Sequence, residues 1–142
     1  PVPVGNAYFT NETTKFLLLF KKVSDIEYKI LAMPDDYESF PYGAFKIYNA
    51  TTFNIGYKLN KRIYSLASMN TEVHKLEVGS ENSTSVMIAF KSNEAEWKKG
   101  YANRWSFQSD TRSIIFVTEK LDAVGNKAVI VKRIKERQKK LP

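Results

Sequence analysis

The sequence predicts an all-β fold, an antiparallel two-sheet β-sandwich of Ig-like or jelly-roll-like type, and three observations carry that expectation. Apolar residues recur with period two in short runs separated by turn residues, the signature of strands. Aromatic residues make up 13% of the 142-residue chain, with eight Tyr and nine Phe, side chains that suit a pleated, half-buried surface. No long stretch shows the spacing of an amphipathic helix; residues 131–140 hold good helix formers, but their apolar side is thin. Half-buried sheets must cover their apolar faces, so two facing sheets are the natural solution, with a closed barrel as the alternative.

Residues 15–22 are apolar on both faces at their middle and predict a central strand. Residues 26–33 alternate Ile26, Tyr28 and Ile30 with Glu27 and Lys29, and a loop with two Pro, a Gly and three acids follows at 33–43. Strand 44–50 turns Phe45 and Ile47 inward, and strand 53–59 alternates Phe53, Ile55, Tyr57 and Leu59 with Asn54, Gly56 and Lys58. Asn60 and Lys61 form a two-residue turn into strand 62–66. Strands 72–78 and 85–91 are joined by residues 79–84, with Val86, Ile88 and Phe90 on one face. Residues 95–97 and 101–107 read as one long strand bent at Gly100. Strands 112–120 and 128–134 flank a turn at Gly125 and Asn126.

The segment YANRWSFQSDTRSIIFV, residues 101–117, reads as a hairpin turning at Ser109 and Asp110. An even loop pairs Trp105 with Ile114 and Phe107 with Arg112, so Tyr101, Trp105, Phe107, Ile114 and Phe116 share a core face. Arg112 is then expected over the Phe107 ring, and Asp110 is expected to cap its own turn. Arg104, Ile115 and Val117 fall on the opposite face, open to water or to a partner, and are candidate binding residues.

Twenty-two basic and fifteen acidic side chains give a net charge of +7. Residues 132–142 contribute six basic groups against Glu136, or +5, which leaves +2 for residues 1–131. One domain over 1–131 with a short, solvated, basic C-terminal tail over 132–142 is the expected organisation. The chain has no Cys, which excludes disulfides, thiolate catalysis and Cys-ligated zinc. The longest purely apolar run, 16–20, is too short to span a membrane as a helix. The chain starts at Pro1, as an exported protein would after loss of a signal peptide.

Catalytic signatures are missing. His74 is the one histidine, so a histidine metal cluster is excluded, and no GxSxG, P-loop or GxGxxG occurs. The acids Asp35, Asp36 and Glu38 cluster beside Tyr37 and Tyr42 but match no calcium loop, and carboxylate catalysis there is the weakest reading. Sequons at Asn11, Asn49 and Asn82 matter only in a eukaryotic secretory protein. Tyr37, Tyr42, Tyr48, Tyr64 and Trp97 are candidates for stacking on sugar rings, because each lies in a loop or has no settled facing. Residues 98–105 faintly resemble a nucleic-acid surface, but Tyr101 and Trp105 belong to the core face, so nucleic acid is not the expected partner.

Residues 40–66 and 101–117 resemble a family of uncharacterised exported bacterial domains of unknown function. The resemblance rests on Phe40, Pro41, Gly43 and Asn49, then on Asn103, Arg104, Trp105, Asp110 and Arg112, and covers residues 15 to 120. The glycine that family carries after its second hairpin strand is replaced here by LASMNTEV, residues 66–73. The resemblance implies a small β-sandwich outside the cytoplasm, in the periplasm or cell envelope, and brings no catalytic residue.

The expected function is therefore a non-enzymatic extracytoplasmic binding or scaffolding domain acting through protein–protein contacts, with no cofactor and no metal. A carbohydrate-binding module is the alternative. Candidate binding residues are Arg104, Ile115, Val117, Tyr37 and Tyr42, and a homo-oligomer is left open.

Overall fold

The computed structural model describes residues 3–11, 13–75, 83–91 and 96–138. Ten strands and no helix occur among the described residues. The chain divides into two compact units, Pro1–Pro41 and Tyr42–Pro142.

The first unit is built on a ribbon of β1 (Phe16–Lys22) and β2 (Tyr28–Pro34), antiparallel from Phe16 opposite Pro34 to Lys22 opposite Tyr28. Its turn is closed by Val23 N–H donating to Glu27 O at 2.9 Å and by a Lys22–Asp25 ion pair at 2.8 Å. Among the described residues β1 pairs with β2 alone, not as a central strand, and Phe20 is 54% exposed. An apolar run too short to show a period cannot separate these two settings.

The second unit holds β3 (Ala44–Asn49), β4 (Ile55–Leu59), β5 (Arg62–Leu66), β6 (Thr71–Lys75), β7 (Ser83–Lys91), β8 (Trp97–Ser106), β9 (Thr111–Leu121) and β10 (Lys127–Arg137). They form two four-stranded sheets, ordered β10-β9-β3-β6 and β5-β4-β7-β8. Phe45, Ile47, Ile115 and Val117 from the first sheet share one core with Ile55, Tyr57, Ile88 and Trp105 from the second. Phe45 meets Trp105 and Phe107 edge to face at 5.4 and 4.9 Å. The arrangement is β-sandwich-like. Asn60 occupies the left-handed region at φ 53° in the β4–β5 turn, a conformation that asparagine tolerates.

Three features depart from the sequence reading. First, β3 and β9 run parallel, Phe45 opposite Ser113 through Asn49 opposite Val117, within otherwise antiparallel sheets. Second, residues 101–117 are not a hairpin. β8 pairs with β7, β9 pairs with β3 and β10, and residues 107–110 carry the chain from one sheet to the other. The crossing resets the alternation, so the parity carried through from Trp105 does not hold on β9. Ile115 and Val117 are 0% exposed core residues, not an open face, whereas Ile114 is half-buried.

Third, β10 runs into the basic segment: Lys132 to Arg137 pair with Phe116 to Thr111. These residues read as the start of a tail because the inward series Val129, Val131 continues with a charge, Arg133. Its guanidinium carbon lies 5.4 Å from the Phe45 ring centre and 5.5 Å from that of Trp105, while Nη2 donates to Ser106 O at 2.9 Å. Burial holds its pKa down. Residues 76–78 of the expected sixth strand, loop residues 79–82, Ala95, the Asn82 sequon and residues 139–142 lie outside the described residues.

β8 is one strand with a bulge, as the bend expected at Gly100 requires. Ile88 faces Tyr101 and Ala89 faces Lys99, so Gly100 is the extra residue. A Cβ at Gly100 would lie inside van der Waals contact with Val129 Cγ2 and 3.1 Å from Phe90 Cε1. Trp97 and Trp105 are an even number of residues apart and would share a face on a regular strand. The bulge reverses the parity, turning Trp105 into the core and leaving Trp97 on the outer face.

Candidate functional site

The outer face of the β5-β4-β7-β8 sheet follows from the core register. Ile55, Tyr57 and Leu59 point inward on β4, so Gly56 and Lys58 point outward. Val86, Ile88 and Phe90 point inward on β7, so Met87, Ala89 and Lys91 point outward. Across the sheet Ser65, Gly56 and Ala89 stand side by side, as do Ile63, Lys58 and Met87. On β8, Trp97 lies beside Lys91 and Lys99 beside Ala89.

The row of small side chains forms the floor of a trench of about 430 Å³. Trp97 stands on one side; Ile63 and Met87 stand on the other. A Cβ on Gly56 would sit 3.0 Å from Trp97 Cζ3 and 3.1 Å from Cη2, so the indole rests on bare backbone. Lys91 Nζ lies over the indole ring, 5.6 Å from its centre. Ile63 is 78%, Trp97 54% and Met87 41% exposed. The solvent face of an antiparallel sheet is normally polar, and these three residues break that rule together.

The charge on this sheet has one sign. Its four strands carry no Asp or Glu; Lys58, Lys91, Lys99 and Arg104 are on the outer face, while Arg62 and Lys98 stand opposite the inward Leu59 and Phe90. Glu96 precedes β8, and Lys98 helps to hold the Asp122 carboxyl low, after hydrogen bonds from Asn126 and Val124.

The expected site residues are distributed as follows. Arg104 is exposed on the outer face of β8, opposite Ser85, and so shares the sheet face with the trench. Ile115 and Val117 are in the core. Tyr37, in the first unit, is exposed with Lys15 Nζ 4.7 Å from its ring centre. Tyr42 is half-buried; the Arg112 guanidinium lies 5.7 Å from its ring centre and its hydroxyl donates to Glu136 at 3.4 Å. Arg112 is buried with its guanidinium 2.6 Å from Glu136, and Asp110 pairs with Arg137 at 2.8 Å. Tyr48 is buried, and Tyr64 stacks on Tyr57 at 5.1 Å. In the acidic loop, both Asp36 oxygens are engaged by Ser39 at 2.7 Å, which lowers its pKa to about 2.

Gly56, Ile63 and Met87 escaped the sequence reading. Met87 had a signal in the unbroken run VMIAF, residues 86–90, which is apolar on both faces of one strand.

A second cluster joins the sheets where β4 and β5 approach β6. The Tyr57 hydroxyl is 2.6 Å from Glu72 Oε2 and 2.5 Å from His74 Nε2. The Tyr57 hydroxyl donates its proton to Glu72, so a hydrogen bond between His74 Nε2 and the phenol oxygen has the histidine as donor. Burial, then Glu72, pushes the Tyr57 pKa far up; burial lowers that of His74 against the opposing pull of Glu72. Tyr57 is 2% exposed, so its hydroxyl is enclosed where the sheets meet.

Asn49 closes the far end of β3. Its amide nitrogen donates to Phe53 O at 2.8 Å and to Leu66 O and Ala67 O at 3.1 Å, and its oxygen accepts from Thr51 N at 3.1 Å. It is 0% exposed, so the sequon there is structural. Comparison with protein-family models, curated proteins and solved structures found no match.

Proposed function

We propose that this chain is a non-enzymatic extracytoplasmic binding domain that works through protein–protein contact on the outer face of the β5-β4-β7-β8 sheet. The supporting observation is the trench, in which Ile63, Met87 and Trp97 are exposed together over a floor of Ser65, Gly56 and Ala89. A surface of this kind favours an apolar occupant. Membership of the exported bacterial family, and a place in the periplasm or envelope, belong to the same proposal and rest on the sequence resemblance. An Ig-like path is favoured over a jelly roll by β6 returning beside β3 after the β4–β5 hairpin.

The carbohydrate reading draws support from Trp97 alone among the exposed rings of the trench, and polar groups to orient a sugar are few there. A photo-crosslinking residue at Ile63 tests the proposal against one at Val124, which is 83% exposed in the β9–β10 turn. In cells, position 63 should give a discrete higher-mass adduct that Trp97→Ala removes. Equal adducts from position 124, or none from 63, would contradict the reading. Binding on a glycan array that Trp97→Ala abolishes would shift it to carbohydrate.

A further inference from the structure

Resting on the trench as the contact surface, we infer that its occupant is an extended acidic–apolar peptide segment of another protein: apolar side chains in the trench, carboxylates over the basic strands around it. Two independent features of the sheet specify this chemistry. The trench itself is apolar, with Trp97, Ile63 and Met87 as its walls. The face that carries it holds four basic residues, Lys58, Lys91, Lys99 and Arg104, and its strands hold no acid.

The geometry suits an extended chain. An extended segment can lay the apolar side chains of its middle in the trench, and carboxylates before and after them then lie over Lys58, Lys91, Lys99 and Arg104. Small residues run across the sheet from Ser65 through Gly56 to Ala89, giving a continuous floor. The indole of Trp97 on bare Gly56 provides the rigid apolar anchor that dominates contact surfaces.

The same features argue against other occupants. A second copy would bring the same one-signed charge against itself, and like charges face to face are costly. Single-stranded nucleic acid binds on successive stacking rings, and Trp97 is the one exposed aromatic side chain on these four strands. An anionic membrane takes up apolar residues that project from the surface, whereas here the apolar groups enclose a concavity.

The test uses three probes on the intact chain: a fluorescent peptide with a short run of Leu flanked on both sides by Asp, its analogue with Lys in place of Asp, and oligothymidine. Vesicles rich in phosphatidylserine form a fourth arm. The acidic peptide should bind, with its affinity falling as salt is added. Trp97→Ala should weaken it by about thirtyfold, a hot-spot loss. Lys58→Glu with Lys91→Glu should weaken it by about tenfold and reverse the preference toward the Lys peptide. Unchanged melting temperatures would show that these exposed substitutions leave the fold intact. Equal binding of both peptides, or preferential binding of oligothymidine or vesicles, overturns the inference. A position-63 adduct together with failure of the acidic peptide refutes the partner chemistry alone; absence of the adduct refutes the contact surface as well.

Discussion

Replacing Asn49 with Ala should destabilise the protein severely although no apolar contact is its main loss. The amide has two N–H donors shared among the carbonyls of Phe53, Leu66 and Ala67, and its oxygen receives the Thr51 N–H. Thr51 Oγ1 also reaches that oxygen, at 2.7 Å. Three to four bonds at about 1 kcal/mol each set the expected scale at about 3–4 kcal/mol, since the site is closed to water that could replace them. For a domain of this size that is a fall of roughly 10–20 °C in melting temperature. Asn49→Asp keeps the shape but turns a carboxylate toward three carbonyl oxygens, so it should be at least as damaging at neutral pH. Urea unfolding followed by tryptophan fluorescence measures both. A loss below about 1 kcal/mol for Asn49→Ala, with an unchanged m-value, would refute the assignment of Asn49 as the pin between residues 51–53 and 66–67.

Gly100→Ala should cost about 1–3 kcal/mol in urea unfolding, because the added methyl must displace Val129 and Phe90. At Gly56 the three atoms nearest an added Cβ all belong to the exposed Trp97 ring, so Gly56→Val should fill the trench and abolish peptide binding while the melting temperature stays within a few degrees. His74 is held below its ordinary 6.5 by burial, so the unfolded chain takes up the proton first. Its contribution to stability is complete above pH 6.5 and is lost as the pH falls toward the folded value; urea midpoints at neutral and mildly acidic pH should show that slope, and His74→Gln should flatten it.

The extent to which the sequence specified this molecule varies by element. The β4–β5 hairpin was legible because Ile55, Tyr57 and Leu59 alternate cleanly and Asn60 supplies a left-handed turn residue. The bend in β8 was legible at Gly100, yet its consequence for Trp97 required the pairing with β7, since a bulge changes parity only relative to a partner. The misassignment of Ile115 and Val117 has one cause. Neighbouring apolar strands joined by a short link were read as a hairpin, and nothing local distinguishes a turn within a sheet from a crossing between sheets. Arg133 concealed the end of β10 in the same way: a charge on the inner face reads as the end of a core strand until the rings of Phe45 and Trp105 are seen beside it. The trench was the least legible feature, because its floor is defined by what Ser65, Gly56 and Ala89 lack.

The most direct measurement is the methyl NMR spectrum of protein labelled at its three methionines during titration with the acidic–apolar peptide. Met87 stands in the trench wall, while Met33 is buried in the first unit's β2 and Met69 accepts a contact from the Tyr48 hydroxyl at 3.6 Å. The account predicts that the Met87 methyl moves in a saturable way, that the other two stay fixed, and that Trp97→Ala removes the shift. A fixed Met87, or a shift confined to Met33 or Met69, would contradict it.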